Sequence, residues 1–167
     1  MSKHTHTWQV AIVTASDKGS RGEREDLSGQ VIREMVQDIG GEVVEYVVIP
    51  DEFERIRDTL TLFSDDLQID LILTTGGTGL APRDVTPEAT LAVIDRQVPG
   101  LAEAMRAASL EKTKFAMLSR AVAGTRGQTL IVNLPGSPKG VRECLDVILP
   151  VLPHALEILQ EKMGEHK

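Results

Sequence analysis

The sequence predicts an α/β fold, a three-layer α/β/α sandwich with a mostly parallel central sheet. Two observations support this. First, short runs rich in Val, Ile and Leu alternate with segments of helical spacing along the whole chain. Second, these runs are apolar at almost every position, which is typical of strands covered on both faces. Strands separated by helices imply βαβ units and hence a parallel sheet between two helical layers.

The elements follow one another with recognisable stop signals. Gly40 and Gly41 end the first long helix, and Pro50 ends the second strand. Thr86 is expected to be the N-cap residue of a helix, with Pro87 in its first turn. The strands are predicted at residues 9–14, 42–49, 69–74 and 129–134, and the helices at 28–39, 52–63, 86–94, 101–110 and 139–163.

Length and charge limit the possible functions. The chain has 167 residues, 41% hydrophobic and 26% charged, which suits one compact domain. We expect that domain over residues 8–163, after a flexible tail over residues 1–7. The net charge of −7 argues against binding nucleic acid through its phosphates. Because no apolar run approaches the length of a membrane span or a signal core, we expect a cytoplasmic protein without membrane partners.

A glycine-rich loop follows the third strand and is the strongest functional signal. Thr75-Gly76-Gly77-Thr78-Gly79 carries little side-chain bulk, so its backbone N–H groups could converge on a phosphate. The alternative is a tight turn that needs positive φ angles. The sequence lacks the Gly-Lys-Ser/Thr ending of a P-loop and the spacing of the dinucleotide-binding fingerprint.

Two carboxylates are expected beside this loop. Asp51 follows the second strand, and Asp84 follows the glycine loop just before a helix. Because ligands bind at the carboxyl ends of parallel strands, both should lie at the same edge of the sheet. Together they could hold Mg²⁺ beside bound phosphates, although Asp84 could instead interact only with the helix dipole.

Three further segments are weaker candidates for ligand binding. Pro135-Gly136-Ser137-Pro138 forms a stiff turn before a helix, where a phosphate would be favourable, or else a rigid connection capped by Ser137. Ser16-Asp17 ends the first strand and Ser119-Arg120 follows Leu118. Each of these pairs could contact a ligand or be a solvated surface group.

These motifs, in this order, resemble the MoaB/Mog family of molybdenum cofactor synthesis, which also includes domains of gephyrin. The similarity extends from the first strand to about Leu159. The pieces that carry it are the glycine loop, Arg83-Asp84-Val85-Thr86-Pro87-Glu88-Ala89, Pro99-Gly100, Leu118-Ser119-Arg120 and Asn133-Leu134-Pro135-Gly136-Ser137-Pro138.

The resemblance implies a molybdopterin adenylyltransferase. Such an enzyme transfers AMP from Mg²⁺-bound ATP to the terminal phosphate of molybdopterin and releases pyrophosphate. By similarity, Asp51 and Asp84 are the catalytic and metal-binding residues. The glycine loop, Ser119 and Arg120 are expected to bind the pterin. Ser16, Asp17 and the loop at residues 135–138 are expected to bind the nucleotide.

The family also sets the alternatives. Its members assemble as trimers, in some cases as hexamers, and could contact other enzymes of the pathway. Some members lack the two carboxylates and bind a pterin without turning it over, and others serve as gephyrin-like scaffolds. This chain keeps both Asp51 and Asp84, which favours an enzyme over a carrier or a scaffold.

Overall fold

The computed structural model of the chain describes residues 6–161. Residues 1–5 of the expected tail and the last two residues of the expected domain lie outside this range. Of the expected tail, residues 6 and 7 are described, and the ring of His6 packs on Trp8 of the first strand with 4.1 Å between the ring centroids.

Six strands form one sheet in the order β2-β1-β3-β6-β5-β4. The first four strands of this order are parallel, and β5 is antiparallel to both of its neighbours. The strands are β1 (Trp8–Ala15), β2 (Gly41–Ile49), β3 (Leu71–Thr75), β4 (Arg96–Gln97), β5 (Ala123–Arg126) and β6 (Thr129–Leu134).

The described residues form seven α-helices, of which α6 and α7 follow the last strand, and short 3-10 or π turns extend several of them. Side chains cap two of the helices that border the site: Asp26 accepts from the Gly29 N–H at 3.0 Å, and Ser137 from the Gly140 N–H at 3.0 Å. The helices are α1 (Asp17–Ser20), α2 (Leu27–Met35), α3 (Phe53–Thr61), α4 (Thr86–Val93), α5 (Pro99–Leu110), α6 (Pro138–Ile148) and α7 (Leu152–Gln160). The 3-10 turns are Val36–Ile39, Lys114–Leu118 and Leu149–Val151, and the π turn is Leu62–Asp66.

The sheet is buried on both faces, as the apolar strands require. Val10 and Ile12 of β1 point into a core with α2, α5, α6 and α7. Ala11 and Val13 point to the other face, where α3 and α4 contribute Ile56 and Ala89. Each fully buried Ile or Leu adds about 1.5–3 kcal/mol of hydrophobic stabilisation. The predicted three-layer sandwich with a mostly parallel sheet is therefore confirmed.

The structure differs from the sequence prediction in its edge strands, in the short helix α1 and at the start of α4. Strands β4 and β5 were not predicted, because β4 has two exposed polar residues and β5 has no apolar run. Their close approach depends on Gly124, where a Cβ atom would lie 2.6 Å from the Arg96 carbonyl oxygen. The expectation that Thr86 caps α4 was wrong. Val85 is the N-cap residue, and Thr86 is the first helical residue, with a fully buried side chain.

None of the described helices is long and apolar enough to cross a membrane.

Candidate active site

The glycine loop turns at the carboxyl end of β3 and lies against the ends of β1 and α4. Gly76 and Gly77 have φ angles of +92° and +74°, a region that residues with a Cβ atom rarely occupy. A Cβ atom on Gly76 would overlap the Ala15 carbonyl oxygen, and one on Gly77 would overlap the Thr86 hydroxyl. Both glycines are therefore required by backbone geometry and by space.

Part of the loop is already hydrogen-bonded within the protein. The Gly76 N–H donates to the Leu134 carbonyl at 3.3 Å, and the Thr75 hydroxyl donates to the Pro135 carbonyl at 2.6 Å. These bonds fix the glycine loop against the loop that follows β6. The two predicted ligand-binding loops are thus held together as one rigid surface.

The two expected carboxylates stand directly over the glycine loop. A Cβ atom on Gly77 would lie 3.2 Å from Asp51 Oδ1, and one on Gly79 would lie 2.9 Å from Asp84 Oδ2. The Ala81 N–H donates to Asp84 Oδ2 at 3.0 Å and fixes that side chain. Burial raises the pKa of Asp51, and the negative charges of Asp17 and Asp84 raise it further, against the opposing effect of a hydrogen bond from the Asp17 N–H.

A cavity of about 550 Å³, here called the glycine-loop cavity, opens between these groups. The N-terminus of α6 contributes Ser137 and Pro138 to its wall, which adds the positive end of a helix dipole. The helix N-terminus favours an anion, but the carboxylates in the wall would repel one unless a cation is bound with it. The cavity is lined by Thr14, Ala15, Ser16, Gly19, Arg24, Glu25, Asp26, Leu27, Ser28, Asp51, Thr75, Gly76, Gly77, Asp84, Gly136, Ser137 and Pro138.

The donor set in this cavity suits Mg²⁺. Among the described residues there is no cluster of three or more His, Cys, Asp or Glu side chains that could hold a metal. Mg²⁺ commonly takes one or two protein carboxylates and completes its shell with water and substrate phosphate. Asp51 and Asp84 supply such a pair, and a cation would offset the repulsion that, after burial, contributes to the raised pKa of Asp51. The buried Thr86 hydroxyl under Gly77 has no hydrogen-bond partner in the protein.

A second cavity of about 400 Å³ lies on the other side of the loop at residues 135–138 and is here called the apolar cavity. Ala102, Met105, Phe115 and Leu118 give it a hydrophobic wall, while Thr78, Gly79 and Ser119 add polar groups. Ser137 borders both cavities, so the two lie next to each other. A ligand with a flat ring system and a phosphate could occupy both.

Comparisons with known proteins decide the family. Residues 11–154 match the family model described as "Probable molybdopterin binding domain". The chain is 43% identical over 155 residues to a molybdopterin adenylyltransferase of Helicobacter pylori strain J99, covering 92% of this chain and 88% of that protein. The identity to the molybdopterin adenylyltransferase of Escherichia coli K12 is 43% over 143 residues, which cover 84% of this chain and 73% of that protein. The chain belongs to the molybdopterin-binding domain family.

A solved structure agrees with this family. The crystal structure of the molybdopterin biosynthesis enzyme MoaB from Thermus thermophilus superposes with a TM-score of 0.88 at 57% sequence identity. The superposition covers 93% of this chain and 98% of that one. The expected membership of the MoaB/Mog family is therefore confirmed.

The predicted site residues of this family member fall into three groups in space. The first group borders the glycine-loop cavity, the second borders the apolar cavity, and the third borders neither. The first group comprises Ser16, Asp51, Thr75, Gly76, Gly77, Asp84, Gly136, Ser137 and Pro138. The second group comprises Thr78, Gly79, Ser119 and Pro135, together with Ser137, which borders both cavities. The third group comprises Asp17 and Arg120.

Arg120 acts as a brace for the glycine loop. Its guanidinium donates to the Gly79 carbonyl at 2.7 Å, to the Asp84 carbonyl at 2.7 Å and to Glu88 Oε2 at 2.6 Å. Its backbone N–H donates to the Thr78 carbonyl at 2.9 Å. These bonds hold the glycine loop in place, and the pterin contact expected of Arg120 from the sequence stays a prediction.

One part of the cavity wall is held by Asp26, which was not among the predicted site residues. Besides capping α2, its carboxylate accepts hydrogen bonds from the hydroxyls of Thr14, at 2.6 Å, and Tyr46. Burial and Asp26 together raise the pKa of Tyr46. These bonds fix the segment at residues 24–28, which forms the outer wall of the glycine-loop cavity. In the sequence, Tyr46 on β2 was the only signal for these hydrogen bonds to Asp26.

Proposed function

We propose that the chain transfers AMP from ATP to the terminal phosphate of molybdopterin in molybdenum cofactor synthesis. The observation that carries this proposal is the pair Asp51 and Asp84 above a glycine loop, in a cavity that adjoins an apolar one. Two relatives at 43% identity are named molybdopterin adenylyltransferase, which supports the same activity.

In the proposed reaction, a phosphate oxygen of the pterin attacks the α-phosphorus of ATP. The bond from that phosphorus to the bridging oxygen of the β-phosphate breaks, and pyrophosphate leaves with the electron pair. The attacking phosphate is already an anion, so no general base is needed. The barrier comes from bringing anions together and from charge on the leaving group, which positioning and electrostatics can lower.

Each part of the site has a role in this proposal. The glycine loop and the N-terminus of α6 receive the phosphates, with Ser16, Gly136, Ser137 and Pro138 along the nucleotide. The apolar cavity, with Ser119 at its wall, takes the pterin ring. Asp51 and Asp84 would hold Mg²⁺, which when bound neutralises phosphate charge and stabilises the departing pyrophosphate. The loop at residues 135–138 keeps the two substrates side by side.

The test is pyrophosphate release by the purified protein. We expect release only when Mg²⁺, ATP and molybdopterin are all present. Binding of molybdopterin without any pyrophosphate would contradict the proposal and would favour a carrier. Failure to bind molybdopterin at all would also contradict it and would favour a scaffold role.

We also propose that the protein works in the cytoplasm as a homo-oligomer, a trimer or a hexamer. Its 3-10 turn at Lys114–Leu118 leaves Phe115 and Met117 exposed by 74% and 66%, a surface that suits contact with another subunit. Sedimentation equilibrium should give a mass three or six times that of the chain, and a monomer would contradict this part of the proposal.

A further inference from the structure

Asp17 and Asp51 are joined by two reciprocal hydrogen bonds. The Asp17 N–H donates to Asp51 Oδ2 at 3.0 Å, and the Asp51 N–H donates to Asp17 Oδ1 at 3.0 Å. Each carboxylate therefore fixes the backbone of the other residue. The end of β1 and the end of β2 are locked together at the point where Asp51 enters the glycine-loop cavity.

The same Asp17 carboxylate also holds Arg83. The guanidinium donates through Nε to Oδ2 at 3.0 Å and through NH2 to Oδ1 at 2.7 Å, the forked geometry that is strongest for this pair. Arg83 immediately precedes Asp84 in the chain. Its side chain is 58% exposed, so little besides Asp17 restricts its direction.

Asp17 thus links the two segments that carry the carboxylates of the site, without itself bordering either cavity. Its backbone N–H and both of its carboxylate oxygens already have partners inside the protein. A nucleotide that contacted its carboxylate would have to share it with Arg83 and the Asp51 N–H. This arrangement is unlike that of Ser16, its neighbour, which does border the glycine-loop cavity.

We propose that Asp17 is a positioning residue for adenylyl transfer: it holds Asp51 and the Arg83–Asp84 segment in one arrangement, so that both carboxylates face the same bound phosphates. The inference rests on the proposed function and replaces the nucleotide contact that the sequence suggested for Asp17. Positioning residues of this kind contribute to the chemical step more than to substrate binding.

The kinetic test compares Asp17→Ala, Arg83→Ala and the double variant with the unchanged protein. We expect kcat to fall about 10- to 100-fold in Asp17→Ala, with KM for ATP changed less than about twofold. The double variant should be no worse than Asp17→Ala, because that change already removes the pair with Arg83. Asp17→Asn keeps an acceptor for the Asp51 N–H and should fall between Asp17→Ala and the unchanged protein.

A matched control is present in the same chain. Arg126 forms the same forked pair with Asp65, at 2.9 and 2.8 Å, away from both cavities. Asp65→Ala should leave kcat and KM within about twofold of the unchanged protein. If it lowers kcat as much as Asp17→Ala does, the effect is one of general stability and the proposal fails.

A readout that does not depend on activity is amide hydrogen exchange. In Asp17→Ala, exchange at the Asp51 N–H should rise about fivefold, as expected for one lost hydrogen bond. Four results would each overturn the proposal. They are an unchanged exchange rate at the Asp51 N–H, unchanged kinetics in Asp17→Ala, single-variant losses of kcat that add up in the double variant, and a rise in KM for ATP at constant kcat. If the unchanged protein releases no pyrophosphate, the proposed function fails, and the Asp51 exchange rate alone decides whether the tether exists.

Discussion

The two cavities are built from different parts of the fold. The glycine-loop cavity is formed mainly by loops at the carboxyl ends of the parallel strands, with backbone groups, carboxylates and a helix N-terminus in its wall. The apolar cavity is formed mainly by side chains of α5, α6 and the 3-10 turn that precedes β5. Of the described residues, only Ser137 borders both. The surface with the carboxylates and the surface with the hydrophobic wall are therefore separated by a single short loop.

This separation has a consequence for variants. Changes to the two carboxylates of the glycine-loop cavity should lower turnover and leave pterin binding largely intact, whereas changes in the apolar cavity should weaken pterin binding. The variants that follow probe this difference, in decreasing order of expected effect.

Asp84→Ala should have the largest effect. We expect pyrophosphate release to fall by about 10³-fold or more, because a group that organises phosphate charge is lost. Molybdopterin binding, measured by equilibrium dialysis, should change less than about twofold, since Asp84 lies outside the apolar cavity. Asp84→Asn, which keeps an acceptor for the Ala81 N–H, serves as the control for local structure. Loss of pterin binding together with turnover would contradict the separation.

Gly77→Ala should be the next most damaging. Its φ of +74° and the overlap with Thr86 predict a loss of about 2–5 kcal/mol in the free energy of unfolding and about a 10²-fold loss of turnover. Gly22→Ala is the control, because Gly22 has a φ of +75° but no atom within 4 Å of the added Cβ. It should cost only about 1–2 kcal/mol and keep turnover. Both variants are measured by urea unfolding and by pyrophosphate release. If Gly22→Ala and Gly77→Ala lower stability and turnover equally, the overlap with Thr86 is not the cause of the loss at Gly77.

Ser119→Ala tests the apolar cavity. Loss of one hydroxyl should raise KM for molybdopterin about 2- to 10-fold, the usual worth of one hydrogen bond, with KM for ATP unchanged. Ser109→Ala is a useful comparison, because Ser109 lies in the same cavity wall and already contacts Cys144 Sγ at 3.5 Å. If Ser119→Ala raises KM for ATP instead, the assignment of the two cavities is reversed.

Asp51→Asn should have a small effect on stability with a defined sign. Because burial raises the pKa of Asp51 above its usual value, this carboxyl favours folding at low pH and loses that contribution as the pH rises through its folded pKa. Without Mg²⁺, the variant should therefore melt at a slightly higher temperature than the unchanged protein at pH 7. The difference should shrink as the pH is lowered toward about 4.

Asp17→Asn gives the opposite case. The Arg83 guanidinium lowers the pKa of Asp17, so the ionised form favours folding, and this variant should melt at a lower temperature at pH 7. If Asp51→Asn also lowers the melting temperature at pH 7, hydrogen bonding outweighs burial at Asp51.

Most of the fold could be predicted from the sequence, because it depends on periodicity. The four parallel strands and the helices between them have the apolar patterns of elements covered by a core, and β6 was predicted with the bounds that the structure has. The short edge strands β4 and β5 could not be found, since their pairing depends on a close contact at Gly124 and not on a pattern. The cap at Thr86 was misread because Val85 takes the N-cap position without any side-chain bond.

The site could be predicted only as a set of loops. The carboxyl-edge rule brings Asp51, Asp84 and the glycine loop together, and the structure has them in one place. The roles of charged side chains were harder to predict, because an Arg or Asp in a loop looks the same in sequence whether it faces a ligand or another loop. Asp17 and Arg120 face other loops. Such contacts between distant segments leave no local signal.

The most direct test of the central claim follows the α-phosphate of ATP. ATP labelled at that position is incubated with Mg²⁺, molybdopterin and the protein, and the products are separated by chromatography. If the protein is an adenylyltransferase, the label moves to the pterin, the pyrophosphate is unlabelled, and Asp84→Ala prevents the transfer. Label appearing as free AMP, or remaining in ATP while molybdopterin stays bound, would contradict adenylyl transfer.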